Sequence, residues 1–151
     1  MIIMQAKVED AEEILNLQKL AYQSEAEIYN DYTIPPLTQS IGEIEAEFES
    51  HIFLKALVVE TQLIGSVRAY MRHGTCFVGR LIVHPDFQNQ GIGTSLMHEI
   101  EHHFGHARRF ELFTGHLSKR NMHLYQKLGY REFDRKIINK NLELVYLEKT
   151  N

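Results

Sequence analysis

Apolar positions along this chain change period several times, and each change predicts an element. IIMQAKV (2 to 8) reads as a short strand, after which Ile14, Leu17 and Ala21 recur on one helical face. Asp10 is placed to cap that helix, with Glu13 at its third position as in a capping box. EAEIYNDYTIPPLTQ (25 to 39) interrupts the period, because two adjacent prolines cannot continue a helix and restrict the residue before them. Ser40 and Glu43 repeat the capping signal and open a short helix to about Glu49, with Ile41, Ile44 and Phe48 on its apolar face. FLKALVVE (53 to 60), LIGSVRAYM (63 to 71) and CFVGRLIV (76 to 83) are rich in β-branched and aromatic residues and separated by short polar turns, as in a meander. A long helix follows from about Gly91 to His106, then a strand RFELFTG (109 to 115) and a helix SKRNMHLYQKLG (118 to 129). YREFDRKIINKNLELVYLEK (130 to 149) reads as a closing hairpin turning near Asn139 to Asn141. The predicted order β, α, α, β, β, β, α, β, α, β, β is a mixed α/β (α+β) domain whose four helices cover the sheet.

At 151 residues the chain has the length of one ordinary domain, so 1 to 151 is expected to fold around one core. Its 44% hydrophobic and 24% charged residues are globular values. Sixteen Lys and Arg against 20 Asp and Glu give a net charge of −4, which argues against non-specific nucleic-acid binding and suits a cationic or amine substrate. The lone Cys76 excludes an internal disulfide and sits in TCFVG as a small hydrophobe. The N-terminal residues lack the pattern of a secretory leader, and no run reaches the length of a spanning helix, so a cytoplasmic protein with no membrane association is expected.

QNQGIGT (88 to 94) places two glycines where a strand gives way to a helix. Backbone amides at a helix start are unpaired and can point at phosphate oxygens, and Gly91 and Gly93 leave them accessible, with the Thr94 hydroxyl beside them. A tight turn needing a positive dihedral would place a glycine there too. A dinucleotide-binding turn fits less well: Leu96 replaces the third glycine of the fingerprint and the segment follows the fourth strand, although Glu111 lies where a ribose-binding carboxylate could. No lysine follows the glycines as in a P-loop. HEIEH (98 to 102) matches a zinc hydrolase motif through His98, Glu99 and His102, with His106 as a further ligand. On a helical projection Ile92, Leu96, Met97, Ile100, Phe104 and Ala107 span an arc of about 140°, and His98, His102 and His106 fall opposite, toward solvent. Ordinary surface histidines are therefore expected, and no metal is required.

LIVHPDFQNQGIGTSLM, then FELFTG, then LYQKLGY, resembles the GCN5-related N-acetyltransferase (GNAT) family, whose acyl-CoA motif [QR]xxGx[GA] follows a strand and a VxP segment. Gln88, Gly91 and Gly93 fill the motif, Val83 and Pro85 precede it, and the strand order resembles the family fold over nearly the whole chain. The resemblance implies a mostly antiparallel, splayed sheet of six to seven strands flanked by four helices. It implies acetyl-CoA as cosubstrate, lying between the fourth and fifth strands, CFVGRLIV and RFELFTG. Leu81, Ile82 and Val83 would face the pantetheine arm and acetyl carbonyl, and amides of Asn89, Gln90, Gly91, Ile92, Gly93 and Thr94 would hold the pyrophosphate. Tyr125 of YQKLGY would protonate the departing thiolate. Where the family commonly has an asparagine seven residues before this tyrosine, the chain has Ser118, with Asn121 one turn later, so the cofactor contact falls to one or the other.

Direct attack by an amine on acetyl-CoA needs a neutral nucleophile, and CFVGRLIV offers Arg80 where many relatives carry a glutamate base. His116 is one substitute, weighed against a loop histidine bonded locally. Glu25, Glu27, Tyr29, Asp31 and Tyr32 lie in the segment that resembles the family's acceptor wall and could bind an ammonium, whereas His84, beside Pro85, reads as structural. The acceptor is an amine of a small molecule, peptide or protein. A non-catalytic acyl-CoA-binding or sensing module is the alternative, followed by the zinc hydrolase. Homodimerisation is compatible with a sheet that has edges to protect.

Overall fold

The computed structural model describes residues 1–59 and 61–151. Its strands are β1 (Ile2–Gln5), β2 (Ile52–Val58), β3 (Gln62–Arg72), β4 (Thr75–Val83), β5 (Arg109–Gly115), β6 (Arg131–Ile137) and β7 (Glu143–Thr150). They form one sheet in the order β1-β2-β3-β4-β5-β7-β6, antiparallel throughout except at β4 and β5. The meander and the closing hairpin stand as their turn spacing predicts. Glu60, read as the end of the first meander strand, lies outside the described residues.

Six α-helices occur among the described residues, where the apolar period predicts four: α1 (Ala11–Ala21), α2 (Gln23–Tyr29), α3 (Pro35–Thr38), α4 (Ile41–Glu47), α5 (Ile92–His103) and α6 (Lys119–Lys127). Both additions fall in and around the segment read as a break. Asn30 ends α2 in the left-handed conformation at φ 49°, which asparagine tolerates. The two prolines open α3, at positions where a missing N–H removes no intrahelical bond. Asp10 also departs from expectation. A 3-10 turn, Val8–Asp10, precedes α1, and the Asp10 carboxylate accepts from Lys7 N at 2.9 Å and Lys55 Nζ at 3.0 Å instead of capping the helix. The Ser40 and Glu43 capping box forms, with bonds of 3.1 and 2.8 Å; Ile44 is buried behind it, while Ile41 is exposed.

Helices cover both faces of the central strands. On one face α5 buries Ile92, Leu96, Met97 and Ile100 against Ile64, Val67, Ala69 and Cys76, and Phe104 and Ala107 complete the predicted arc just past the helix. On the other, Ala11, Ile14 and Leu15 of α1 pack with Ile44 of α4 and Phe53, and Phe48 stacks on Phe53 at 3.8 Å between ring centroids.

The sheet divides in its middle. β4 pairs with β5 only from Thr75 to Phe77, so the stretch from Val78 to Val83 has no strand on that side. Its far end stays with β3, through Val83 against Gly65 and His84 N donating to Ile64 O at 2.8 Å. Between these points Arg68 opposes Gly79 and Ser66 opposes Ile82, so two residues, Arg80 and Leu81, stand across from Val67 in a bulge, with Arg80 at φ 51°. The far end of β5 goes the other way, to β7 through Gly115 against Leu144, and to α2, whose Tyr29 hydroxyl accepts from Leu117 N at 2.9 Å.

Tyr29 lies so closely on Gly115 that a Cβ there would collide with its hydroxyl and ring. Gly115→Ala is therefore expected to destabilise the fold by about 1–3 kcal/mol in urea unfolding, because Tyr29 is buried and cannot step aside.

Candidate active site

A cleft of about 920 Å³ opens where β4 leaves β5, walled by α1 and α2, the start of α5 and the start of α6. Leu81, Ile82, Val83, Gln88, Asn89, Gly91, Ile92, Gly93, Thr94, Ser118 and Asn121 line it; Gln90 and Tyr125 are absent from its lining. Residues separated by up to 40 positions are thus brought to one surface by the β4 to α5 turn and by α6.

At the turn, Asn89 and Gly91 are both left-handed, at φ 64° and 80°, and Gly91 is the N-cap of α5. A Cβ at Gly91 would meet nothing within 4 Å, so its absence serves conformation and leaves space above the helix start. No side chain caps this end, and the first-turn amides with the positive helix terminus remain available to an anion. His84 helps to shape the approach: its Nδ1 accepts from Asp86 N at 3.1 Å, the structural role its place before Pro85 suggests.

The other end of the cleft is a hydrogen-bonded group contributed by α2 and α6. Glu25 accepts from Ser118 Oγ at 2.5 Å and from Asn121 Nδ2 at 3.3 Å, and Ser118 Oγ is 2.7 Å from the Tyr29 hydroxyl. Ser118 stands at the start of α6 without its hydroxyl oxygen accepting from a helix amide, because it bonds to Tyr29 and Glu25 instead. The acidic segment divides: Glu25 and Glu27 line the cleft, whereas Asp31 accepts from Thr33 N and Oγ1 in a turn and Tyr32 is exposed. Thr33 holds the Asp31 carboxyl below its usual range.

Tyr125 is buried just behind this group, its ring 6.1 Å from that of Tyr130. Burial, then the nearby Tyr22 and Glu25, push its phenol well above the usual tyrosine range, which keeps it a proton donor at neutral pH.

His116 is partly buried, outside the cleft lining. Its Nδ1 accepts from Glu143 N at 3.0 Å and its ring lies 5.8 Å from that of Tyr29. His98, Glu99, His102 and His106 are exposed, and no group of three or more His, Cys, Asp or Glu able to hold a metal comes together among the described residues. No helix among them is long and apolar enough to cross a membrane.

Sequence inspection missed Tyr22 and the polar layer beneath it. Tyr22 lines the cleft from the junction of α1 and α2, and Gln18, one turn before, is fully buried. Gln18 Nε2 donates to Pro36 O and Gln39 Oε1, each at 2.9 Å, and its Oε1 accepts from buried Arg68, which lies 3.6 Å from Glu47. Burial first, and then the neighbouring Arg80 charge against the opposing pull of Glu47, bring the Arg68 guanidinium down to about 10. The available signal was a glutamine and a tyrosine continuing the apolar i, i+4 stripe that starts at Ile14.

This arrangement is that of the GNAT acetyltransferases, and the chain belongs to that family: residues 11–130 match the Acetyltransferase (GNAT) family. The UPF0157 protein YqkA of Bacillus subtilis (strain 168) is 30% identical over 122 residues, covering 81% of this chain and 35% of that protein, so the chain spans about a third of the length of this curated relative. Among solved structures, a Streptococcus mutans UA159 protein superposes with a TM-score of 0.85 at 15% identity, over 99% of each chain. The PaiA N-acetyltransferase of Thermoplasma acidophilum, solved with coenzyme A, superposes at 0.81 with 18% identity, over 100% of each chain. At these identities the superpositions show a shared fold.

Cys76 is fully buried against α5, and burial, with Glu101 nearby, pushes its thiol up to about 12. A disulfide reagent at pH 8 is expected to leave it unmodified in the native protein and to titrate one thiol after denaturation; rapid native reaction would show that the core opens readily.

Proposed function

We propose that residues 1–151 act as one acetyl-CoA-dependent N-acetyltransferase domain, in which an acceptor amine attacks the bound thioester directly. The observation that carries this reading is the separation of β4 from β5 after Phe77, with an uncapped helix start at Gly91 on the same cleft. A pantetheine arm has amides that can bond to an open strand edge, and a diphosphate needs several donors together. The cleft supplies Leu81 to Val83 for the first and Asn89 to Thr94 for the second.

In this mechanism the amine nitrogen bonds to the thioester carbonyl carbon, and the developing oxyanion is met by a backbone amide near Ile82 or Val83. The carbon–sulfur bond then breaks and Tyr125 gives its proton to the departing thiolate, a role its raised phenol suits. Either Glu25 inside the cleft or His116 beside Tyr29 can take the ammonium proton; His116 must exchange its Glu143 bond to do so. Positioning the two reactants supplies much of the rate. No step uses Cys76 or a metal. A cytoplasmic location is part of the same proposal.

Acetyl-CoA at about a hundred times its Kd should stabilise the protein by about 2.7 kcal/mol, a rise of several degrees in Tm. Gly91→Val should lose most of that rise, and a response to zinc alone after metal stripping would overturn the reading in favour of the helix histidines.

With a competent amine, Tyr125→Phe should lower kcat by roughly 10²-fold. Of Glu25→Gln and His116→Asn, the variant that removes the acid limb of the kcat/KM pH profile identifies the proton acceptor. Acetyl-CoA binding without thiol release for any amine would leave a binding module only.

A further inference from the structure

A carboxylate that takes a proton from an ammonium has to be held toward the reactant, and in this cleft Glu25 is held by other side chains. Its Oε2 accepts from Ser118 Oγ at 2.5 Å and its Oε1 from Asn121 Nδ2 at 3.3 Å, and Asn121 is itself 3.4 Å from Thr114 Oγ1. Glu25, Ser118 and Asn121 all line the cleft. A carboxylate oxygen has two lone pairs, so one donor on each leaves a second direction on each for an N–H of the acceptor.

Chemistry sets the sense of the bonds behind the carboxylate. An ionised carboxylate only accepts, so the single Ser118 proton points at Glu25, and the Tyr29 hydroxyl, 2.7 Å away, donates to the Ser118 oxygen. The Tyr29 oxygen accepts in turn from Leu117 N at 2.9 Å. Leu117 N–H, Tyr29, Ser118 and Glu25 thus form one run in which every donor points toward the carboxylate, and such runs reinforce one another in an enclosed place. Ser118 is 2% exposed and Tyr29 5%, whereas Glu25 is partly exposed on the cleft wall. His116 has no comparable orientation toward the cleft: it lies outside the lining, and its Nδ1 accepts from Glu143 N.

We propose that Glu25 takes the ammonium proton of the acceptor and that Ser118, itself oriented by Tyr29, is its positioning residue. This rests on the transfer reading above and decides between the two proton acceptors it allows. The ammonium loses two protons in all. One passes to a Glu25 oxygen and on to solvent in the open cleft, which frees the nitrogen lone pair that bonds to the thioester carbon. The second leaves the nitrogen as the carbon–sulfur bond breaks with its electron pair on sulfur, and it replaces the proton that Tyr125 gives to the thiolate.

The test compares thiol release with a competent amine and with its aminooxy counterpart, a nucleophile that is neutral near pH 7 and needs no proton removed before it attacks. With the amine, Glu25→Gln is expected to lower kcat by roughly 10²-fold and Ser118→Ala by roughly tenfold. Both losses should be several-fold smaller with the aminooxy compound. Ser118→Thr, which keeps the hydroxyl, should recover most of the Ser118→Ala loss, and acetyl-CoA should still raise the Tm of Ser118→Ala. Glu25→Gln, close in shape to the native residue, keeps the test decisive if Ser118→Ala fails to fold. Equal losses with the two nucleophiles would overturn the inference, as would an acetyl-CoA response abolished by Ser118→Ala, which would assign Ser118 to the cofactor. Full amine turnover in Glu25→Gln with loss in His116→Asn would overturn it while leaving N-acetyl transfer standing. Absence of thiol release with every amine would overturn both readings.

Discussion

β4 and β5 are held together at Thr75 to Phe77 and drawn apart beyond it, and most of what is distinctive in this molecule depends on that split. A parallel pair normally continues until its strands end, because each lost ladder position leaves donors and acceptors to find other partners. Here the two far ends are claimed by different neighbours. β4 remains on β3 through Val83 and His84, while β5 is fixed to β7 and lies beneath Tyr29 of α2. An unpaired edge open to solvent is satisfied by water; the same groups enclosed without a partner would cost about 1–3 kcal/mol each. A ligand with amides of its own can replace that water, which is why a split sheet and a pantetheine arm fit one another physically.

Two polar clusters keep the walls of the split in place. Ser118, Glu25, Asn121 and Tyr29 join α6 to α2 through short bonds, and buried Gln18 joins α1 to the Pro36 carbonyl and to Arg68. Such networks add modest stability when complete and specify geometry strongly, since displacement of one member strands the others. The Arg68 Nη1, without a hydrogen bond, is the exception. One end of the cleft therefore presents the uncapped helix start at Gly91, and the other the carboxylates of Glu25 and Glu27.

This chain carries Arg80 and no carboxylate on β4. Its cleft carboxylates come from α2, an element placed by helix packing and independent of the sheet register. Under the proposed function, cofactor and acceptor would thus be handled by separate parts of the fold. Under the same proposal, a change in α2 would alter the acceptor without disturbing the Gly91 turn.

Much of the architecture was legible because it is locally encoded. The arc from Ile92 to Ala107 sinks against the sheet as its period requires, Ser40 and Glu43 cap their helix, and Gly91 takes the positive φ that the turn demands. Asp10 was misread because a carboxylate that can cap a helix can equally bond backward to Lys7 and across to Lys55, a strand residue 45 positions away. The paired prolines were misread because they end one helix by the same chemistry that lets them begin another. By itself the sequence determined the seven strands, four of the helices, the glycine turn at Gly91 and the family resemblance, all of which depend on residues close together in the chain. Only the tertiary structure decided that Tyr22 and Glu25 line the same cleft as the Gly91 turn, that Ser118 serves Glu25 and Tyr29 instead of its own helix, and that Tyr125 is buried outside the cleft lining. A repeat of apolar positions states which face of an element is buried; what that face meets is set by packing between distant segments.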